Sequence, residues 1–317
     1  MTAPLASIWA TELAAFLAFK RELGYPYRRA EFTLRAFDRF LVEQRHGRGC
    51  LHKAILAWLE RQPGRKPVSV ACELAVVRQF YEYLRRRGCR GLREPSWPPL
   101  PATSEYVPHI FSTQEVQQLL LLTAKLGGHP FRRIMYWTLI LVLYCTGLRF
   151  GEALRLRLRD LDVAARTLFI LPSKGRSRWV PYHGSLGREL GRYLVARKAY
   201  APAGPDDRLF VGEDKKRLPT TTASDTVRGL LRTAGLKPAT GRVGPRPYDL
   251  RHAFAVHRLT RWYRAGVDLH ARIPWLSAYM GHDDLLGTET YLTATPELLA
   301  LAGGRFRRRY LTAGGPC

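Results

Sequence analysis

Apolar residues recur at helical spacing along the first ninety positions of the chain. One apolar stripe covers residues 13–23 and a second covers residues 32–41, separated by a glycine and a proline that favour a turn. The same periodicity predicts two more helices, over residues 51–60 and 68–87. This part of the chain is therefore predicted to be an all-helical domain.

A proline-rich stretch follows this helical pattern. Residues 94–108 contain five prolines, and such a segment is extended and semi-rigid rather than packed into a core. We place the domain boundary here. The predicted division is a helical domain over residues 1–94, a linker over residues 95–108 and a second domain over residues 109–317.

The pattern in the second domain mixes helices with two short strands. Ser112 and Glu115 are spaced as a capping box, which opens a helix that reaches residue 124. Alternating apolar residues predict strands over 167–171 and 178–182, joined by a polar turn. Further helices are predicted over residues 130–144, 149–158, 186–200, 221–234, 250–265 and 296–302. The predicted fold class is mainly α with a small antiparallel β-sheet in this domain.

The charge of the chain narrows the class of partner. Lys and Arg number 51 and Asp and Glu 26, for a formal net charge of +25, while 46% hydrophobic residues are enough to build a core. The excess is +9 over residues 1–103 and +16 over residues 104–317. It predicts a polyanionic partner, with nucleic acid first and an anionic membrane surface second. Two basic domains on a stiff linker suit a clamp around a duplex.

Several other classes of protein are not supported by the sequence. The most apolar stretch, residues 134–148, is shorter than the roughly 20 residues that cross a bilayer. The N-terminus lacks the basic region of an export signal, and the five cysteines form no CxxC, which together predict a reducing cytoplasm. The sequence contains no P-loop and no metal-ligand motif, so no cofactor or metal is predicted.

Four separated segments carry side chains suited to chemistry. They are TGLRFGE (146–152), SKGRSR (173–178), YDLRH (248–252) and MGHDD (280–284), the last followed by Tyr291. Each has a structural interpretation when taken alone. Arg149 is either the end of a snorkelling helix or a guanidinium held in a cleft, and a lone histidine is usually structural.

Taken together, the order and spacing of these segments resemble the tyrosine recombinase (phage integrase) family. The motifs that carry the resemblance are TGLRFGEAL, SKGRSRWVPYH, YDLRHAF, YMGHDD and the trailing Tyr291. The stretches FLAFKRELGYPYRRAEFTLRAFDRFL and VVRQFYEYLRRRG are similar to the helical core-binding (SAM-like) domain of that family. The resemblance covers nearly the whole chain and implies a core-binding domain followed by a tyrosine-recombinase catalytic domain.

The resemblance implies a role for each charged residue of the set. Arg149 and Arg251 match the two catalytic arginines, which would clamp the non-bridging oxygens of a phosphorane. Glu152 matches the acidic residue that orients Arg149. Lys174 matches the lysine of the β-hairpin, which would protonate the departing 5′-hydroxyl.

The remaining positions are His282, Tyr291 and Tyr248. By resemblance Tyr291 is the nucleophile that forms a covalent phosphotyrosine, and His282 supplies a third hydrogen-bond donor. The surrounding positive charge is expected to lower the pKa of the Tyr291 phenol. Tyr248 departs from the family pattern, which usually has histidine there. Because a phenol has a pKa near 10, it is a poorer base than histidine at neutral pH.

The resemblance also implies partners and a role. It predicts metal-independent recombination of double-stranded DNA by a homotetramer on two DNA sites, for a mobile element, in the cytoplasm and associated with the nucleoid. Two alternatives remain open from the sequence. One is a catalytically silent DNA-binding protein on the same fold, and the other is a type IB topoisomerase.

Overall fold

The protein folds into two compact units, residues 1–106 and residues 107–317. The computed structural model describes residues 4–44, 47–61, 65, 67–97, 107–171, 177–241, 243–282, 286–289, 291, 300–301, 303–304 and 307. The predicted helix over 296–302 falls almost entirely outside these residues. The boundary between the units falls within the segment that we predicted as a linker.

The N-terminal unit is helical, as its apolar periodicity predicts. Its helices are α1 (Ala10–Glu22), α2 (Arg28–Glu43), α3 (Leu51–Glu60) and α4 (Pro67–Arg86). Their apolar faces meet in a core that includes the aromatic side chains of Phe16, Phe37, Trp58 and Phe80. The buried carboxylate of Asp38 accepts the backbone N–H groups of Ala6 and Ser7, which ties the segment before α1 to α2.

The C-terminal unit packs helices around a small sheet. Its helices are α5 (Thr113–Thr123), α6 (Pro130–Thr146), α7 (Phe150–Ala153), α8 (Gly184–Tyr200), α9 (Thr220–Thr233), α10 (Asp249–Arg264), α11 (Leu269–Met280) and α12 (Leu286–Glu289). The predicted capping box at the start of α5 is present, since Ser112 and Glu115 each accept the other's backbone N–H. The mainly apolar α6 lies at the centre and packs against α5, α8 and α10.

A three-stranded antiparallel sheet lies beside these helices. Its strands are β1 (Leu161–Asp162), β2 (Thr167–Ile170) and β3 (Arg178–Pro181), in the order β1-β2-β3. Leu168 and Val180 are paired across β2 and β3 and point into the core, whereas Phe169 and Trp179 pair on the other face. The fold class predicted from the sequence is thus confirmed, although β1 was not predicted because two residues carry no alternation.

The prediction of one helix over 149–158 is wrong. Helix α7 ends at Ala153, and a short 3-10 helix follows over Leu158–Asp160. The backbone between them pairs elsewhere: the carbonyl of Leu156 accepts the N–H of Leu209 at 2.8 Å, and the N–H of Leu158 is donated to Asp207 at 3.0 Å. These tertiary hydrogen bonds replace those that would have continued the helix.

Two helices of the C-terminal unit end at glycines in the left-handed conformation. Gly147 follows α6 with φ 63°, and Gly281 follows α11 with φ 69°. A side chain at either position would also collide with a neighbour, because a Cβ would lie 2.4 Å from the Phe254 ring at Gly147 and 2.6 Å from the Arg178 guanidinium at Gly281. Glycine therefore fixes where each helix stops and directs its last carbonyl groups.

Among the residues that the structure describes, no helix is both long enough and apolar enough to cross a bilayer.

Candidate active site

The two predicted arginines lie where two helices end. Arg251, in the first turn of α10, donates to the carbonyl oxygens of Gly147 (2.7 Å) and Met280 (2.9 Å). Arg149, which directly precedes α7, donates to the carbonyl oxygen of Gly281 at 2.6 Å. The carbonyl groups at a helix C-terminus carry partial negative charge, so they hold a guanidinium without neutralising it. The glycine-terminated ends of α6 and α11 thus bring together arginines that are 102 positions apart.

Glu152 holds Arg149 in this arrangement through hydrogen bonds. Its carboxylate accepts the Nη1 of Arg149 and the backbone N–H of the same residue, both at 3.0 Å. It also accepts Arg178 from strand β3, at 2.8 Å and 3.3 Å. Burial opposes ionisation of this carboxyl, but the hydrogen bonds and charges of Arg178 and Arg149 outweigh it and lower the pKa of Glu152 to about 2.

His282 contacts both Arg251 and Thr288. Its Nε2 lies 2.8 Å from Nη2 of Arg251, and its Nδ1 lies 2.6 Å from the hydroxyl of Thr288. A guanidinium can only donate, so Nε2 is the acceptor in this contact. The donation from His282 to a phosphate, which the resemblance implies, stays a prediction.

Tyr291 is buried beside the arginines and between two imidazoles. Its side chain is 4% exposed, and its ring packs against His252 (centroids 5.4 Å apart) and His282 (6.2 Å). The prediction of a lowered phenol pKa is wrong. Burial raises the pKa of Tyr291 by more than the charges of Arg251 and Arg149 lower it.

Tyr248 and His252 complete an aromatic row toward the surface. Tyr248 is 37% exposed, and its ring meets that of His252 edge to face at 5.1 Å. Burial lowers the pKa of His252 to about 4, against the opposing charge of Asp249, so its imidazole is neutral at physiological pH. Nδ1 of His252 is buried and makes no hydrogen bond with any described residue.

The structure therefore brings five predicted site residues together and places beside them the predicted supporting residue, Glu152. The five are Arg149, Tyr248, Arg251, His282 and Tyr291. Lys174 lies outside the described residues. Strand β3, which follows it in the sequence, is connected to the site, because Arg178 on β3 donates to Glu152 and to the carbonyl of Tyr279.

Sequence reasoning missed three residues of this cluster, namely Arg178, His252 and Thr288. Arg178 was part of the segment SKGRSR, but nothing in its spacing indicated that it points inward rather than toward solvent. His252 directly follows Arg251, and Thr288 lies three positions before Tyr291, one helical turn away. That second spacing was the available signal for a residue close to the nucleophile.

The comparisons with known proteins agree with this geometry. The sequence profile of the phage integrase family matches residues 110–297. A Sinorhizobium fredii protein, y4rB, which is named as an integrase/recombinase, is 34% identical over 303 residues that span 93% of this chain and 96% of its own. The tyrosine recombinase XerD of Caulobacter vibrioides is 27% identical over 237 residues, 75% of this chain and 74% of its own.

Solved structures show the same fold. The Tn1549 transposon integrase in complex with transposon right end DNA superposes with a TM-score of 0.66, covering 93% of this chain and 99% of that one at 16% identity. The XerA recombinase gives a TM-score of 0.52 over 95% and 98% of the two chains at 23% identity. The identity to y4rB over nearly the whole chain and the family match across the site together establish the assignment: this chain belongs to the phage integrase family and is a tyrosine recombinase.

Proposed function

We propose that this protein cleaves and rejoins double-stranded DNA at specific sites through a covalent 3′-phosphotyrosine at Tyr291. The observation that carries the proposal is the convergence of two arginine side chains, far apart in sequence, beside one buried tyrosine. A phosphodiester is the anion that such a pair of guanidiniums fits, because each can contact two oxygens of one phosphate.

The proposed reaction uses these groups in the following way. The phenolic oxygen of Tyr291 attacks phosphorus and gives up its proton to solvent, the bond to the 5′-oxygen breaks, and the phosphate stays bonded to the protein. Arg149 and Arg251 stabilise the extra negative charge of the pentacoordinate state. The leaving 5′-oxygen takes a proton, which we assign to Lys174. The chemistry of these residues requires no metal.

The site has an unused donor that supports this proposal. Nε of Arg251 is buried and makes no hydrogen bond with the part of the chain that the structure describes. An unpaired buried N–H is costly, at about 1–3 kcal/mol. An incoming phosphate oxygen would accept a hydrogen bond from this N–H and remove that cost. The contact at the scissile phosphate would therefore contribute to the free energy of DNA binding.

Charge outside the site supports DNA as the partner. The net charge of +25 is distributed over both units, and a basic surface gives sequence-independent attraction to a duplex. XerH, a solved structure with the same fold, is described as bound to difH substrate in a post-cleavage complex. We propose that the N-terminal unit is a core-binding domain and that both units clamp the duplex.

We further propose that the protein serves a mobile element and acts as a tetramer on two DNA sites. The similarity of fold to the Tn1549 transposon integrase supports the first part. The second rests on the family alone. On this proposal the protein works where DNA is, in the cytoplasm and on the nucleoid.

Covalent capture tests the proposal. Nicked duplexes that tile the DNA flanking the gene are incubated with the full-length protein, and adducts are separated on denaturing gels. We expect an adduct with wild type and with Tyr310→Phe, a control at the next tyrosine along the chain. We expect none with Tyr291→Phe, which should still retard DNA on native gels. An adduct in Tyr291→Phe would overturn the assignment of the nucleophile.

The same preparation distinguishes the two alternatives. If wild type binds these duplexes but never forms an adduct, the protein is a silent DNA-binding member of the family. If it forms adducts and relaxes supercoiled plasmid, yet never exchanges strands between two sites, it acts as a topoisomerase. Exchange between two sites supports the recombinase.

A further inference from the structure

Arg178 is a nearly buried arginine that contacts two separate elements beside Arg149. Its side chain is only 10% exposed, although it lies on the short strand β3. Nη2 and Nη1 donate to the carboxylate of Glu152 at 2.8 Å and 3.3 Å, and Nε donates to the carbonyl of Tyr279 at 2.8 Å. One guanidinium therefore joins β3 to α7 and to the C-terminal end of α11.

These contacts form a closed ring with those of Arg149. The Arg149 guanidinium donates to Glu152 at 3.0 Å and to the carbonyl of Gly281 at 2.6 Å. Gly281 directly follows α11 and lies two positions after Tyr279. Arg178 thus contacts both supports of the Arg149 guanidinium. It holds Glu152 through an ion pair and the end of α11 through the carbonyl of Tyr279.

The end of α11 is fixed against β3 by two further contacts. A Cβ built at Gly281 would lie 2.6 Å from Nη1 of Arg178, so the guanidinium packs directly against that part of the main chain. The hydroxyl of Tyr279 donates to the carbonyl of Pro181, at the end of β3, at 3.0 Å. The carbonyl of Gly281 that holds Arg149 is therefore located by its contacts with this strand.

We propose that Arg178 is a positioning residue that holds Arg149 in place for the scissile phosphate, by fixing both Glu152 and the end of α11. All three nitrogens of the Arg178 guanidinium already donate to protein acceptors, so its effect on a phosphate passes through Arg149. The inference rests on the proposed function for its effect on cleavage. The position of Arg149 itself can be measured without any reaction.

Two substitutions separate the position of this guanidinium from its charge. Arg178→Lys keeps a positive charge opposite Glu152, but a single ammonium cannot reproduce the planar fork that reaches Glu152 and Tyr279 together. Arg178→Met removes the charge and all three hydrogen bonds. Arg192 pairs with Glu189 at 2.8 Å on the surface of the same unit and is 76% exposed, so Arg192→Lys and Arg192→Met are the matched controls.

The first measurement determines the position of Arg149 without DNA. Crystal structures of the full-length wild type, Arg178→Lys and Arg192→Lys are compared. We expect wild type and Arg192→Lys to keep the hydrogen bond from Arg149 to the carbonyl of Gly281, and Arg178→Lys to lose it. If Arg149 keeps its contacts with both Glu152 and Gly281 in Arg178→Lys, the positioning role is overturned.

The second measurement determines the consequence for cleavage on two substrates. Single-turnover adduct formation is followed on a nicked duplex with an ordinary scissile phosphate and on one with a methylphosphonate at that position. On the ordinary phosphate we expect both Arg178 variants to be slower than wild type by about 100-fold, the effect of a displacement of about 1 Å. The pentacoordinate state of the methylphosphonate carries one negative charge rather than two, so Arg251 can stabilise it with less help from Arg149. The loss should therefore be smaller on this substrate by about 10-fold or more.

The outcomes separate a positioning role from other causes of a slow variant. Both Arg192 variants should match wild type on both substrates. A partly unfolded variant forms less adduct on both substrates, and an equal loss of rate on both would overturn the proposal. If the loss disappears when sulfur replaces the leaving 5′-oxygen, which then needs no acid, Arg178 acts on the leaving group rather than on Arg149, and the proposal is wrong. If wild type forms no adduct at all, the proposed function fails, while the crystal structures still decide whether Arg178 positions Arg149.

Discussion

Replacing Glu152 by glutamine tests whether the charge of this one buried carboxylate holds the site together. The side chain of Glu152 is 1% exposed, and it binds Arg149 at 3.0 Å and Arg178 at 2.8 Å. Glutamine has nearly the same shape and still accepts one hydrogen bond. The substitution therefore removes the negative charge and leaves Arg178, itself 10% exposed, without its ionic partner.

The magnitude follows from two independent estimates. The pKa of Glu152 falls from 4.5 to about 2 on folding, and a shift of this size corresponds to about 3 kcal/mol in favour of the charged form. Breaking a buried ion pair by removing one partner costs about 3–5 kcal/mol. We expect Glu152→Gln to destabilise the C-terminal unit by about 3 kcal/mol.

Glu189→Gln is the matched control in the same unit. Glu189 pairs with Arg192 at 2.8 Å, but that arginine is 76% exposed, and such surface pairs contribute about 0.2–1 kcal/mol. Amide hydrogen exchange during urea unfolding of the full-length protein gives the stability of each unit from its own peptides. Peptides from residues 1–106 serve as an internal reference, since neither substitution lies there.

The pH dependence provides a second check with a defined sign. Because the folded pKa of Glu152 is depressed, its contribution is fully present above pH 4.5 and is lost as the pH falls toward 2. The difference between wild type and Glu152→Gln should therefore narrow over that range. A difference below 1 kcal/mol at neutral pH, or equal effects of Glu152→Gln and Glu189→Gln, would refute the reasoning.

Two further predictions concern neighbours of the same cluster. Gly281→Ala should destabilise the C-terminal unit by about 1–3 kcal/mol and slow adduct formation, because its Cβ would lie 2.6 Å from the Arg178 guanidinium at a positive φ. Gly229→Ala is the control, because a Cβ at Gly229 would meet nothing within 4 Å. In urea unfolding this control should be neutral or stabilising. His252→Phe should reduce the loss of unfolding free energy that occurs as the pH falls. Because the folded pKa of His252 is depressed, its contribution to stability is fully present above pH 6.5 and is lost toward pH 4, a change of up to about 3 kcal/mol. Unfolding curves at pH 7 and pH 4.5 check this, and an unchanged slope in the variant contradicts it.

The helices could be predicted from the sequence because each one buries a single face. Helix α3 has the predicted bounds, and the start of α5 follows from its capping box. The failures have a common cause. Helix α7 is shorter than predicted because backbone groups beyond Ala153 pair with a segment near Leu209, some fifty positions later. A local pattern carries no information about such a partner.

In the site, too, local motifs identified residues, whereas contacts between residues far apart in the sequence could not be predicted. The identities of Arg149, Arg251 and Tyr291 came from motif resemblance, and the structure places them together. The inward direction of Arg178 depends on Glu152, twenty-six positions earlier, so no window of sequence around it could reveal that contact. The error in the pKa of Tyr291 arose because charge can be counted in a sequence, whereas burial of the phenol cannot.

The balance of charge in the site explains how it stays positively charged before a phosphate binds. Glu152 contacts both Arg149 and Arg178, so its single negative charge is shared, and one of these two positive charges stays uncompensated. Arg251 is held by the carbonyl oxygens of Gly147 and Met280, which are neutral. The site thus retains about two positive charges. In the proposed reaction a phosphodiester brings one negative charge and the pentacoordinate state a second. The second arises only in the transition state, so the positive charge of the site stabilises that state more than it stabilises the bound substrate, and this difference accelerates cleavage.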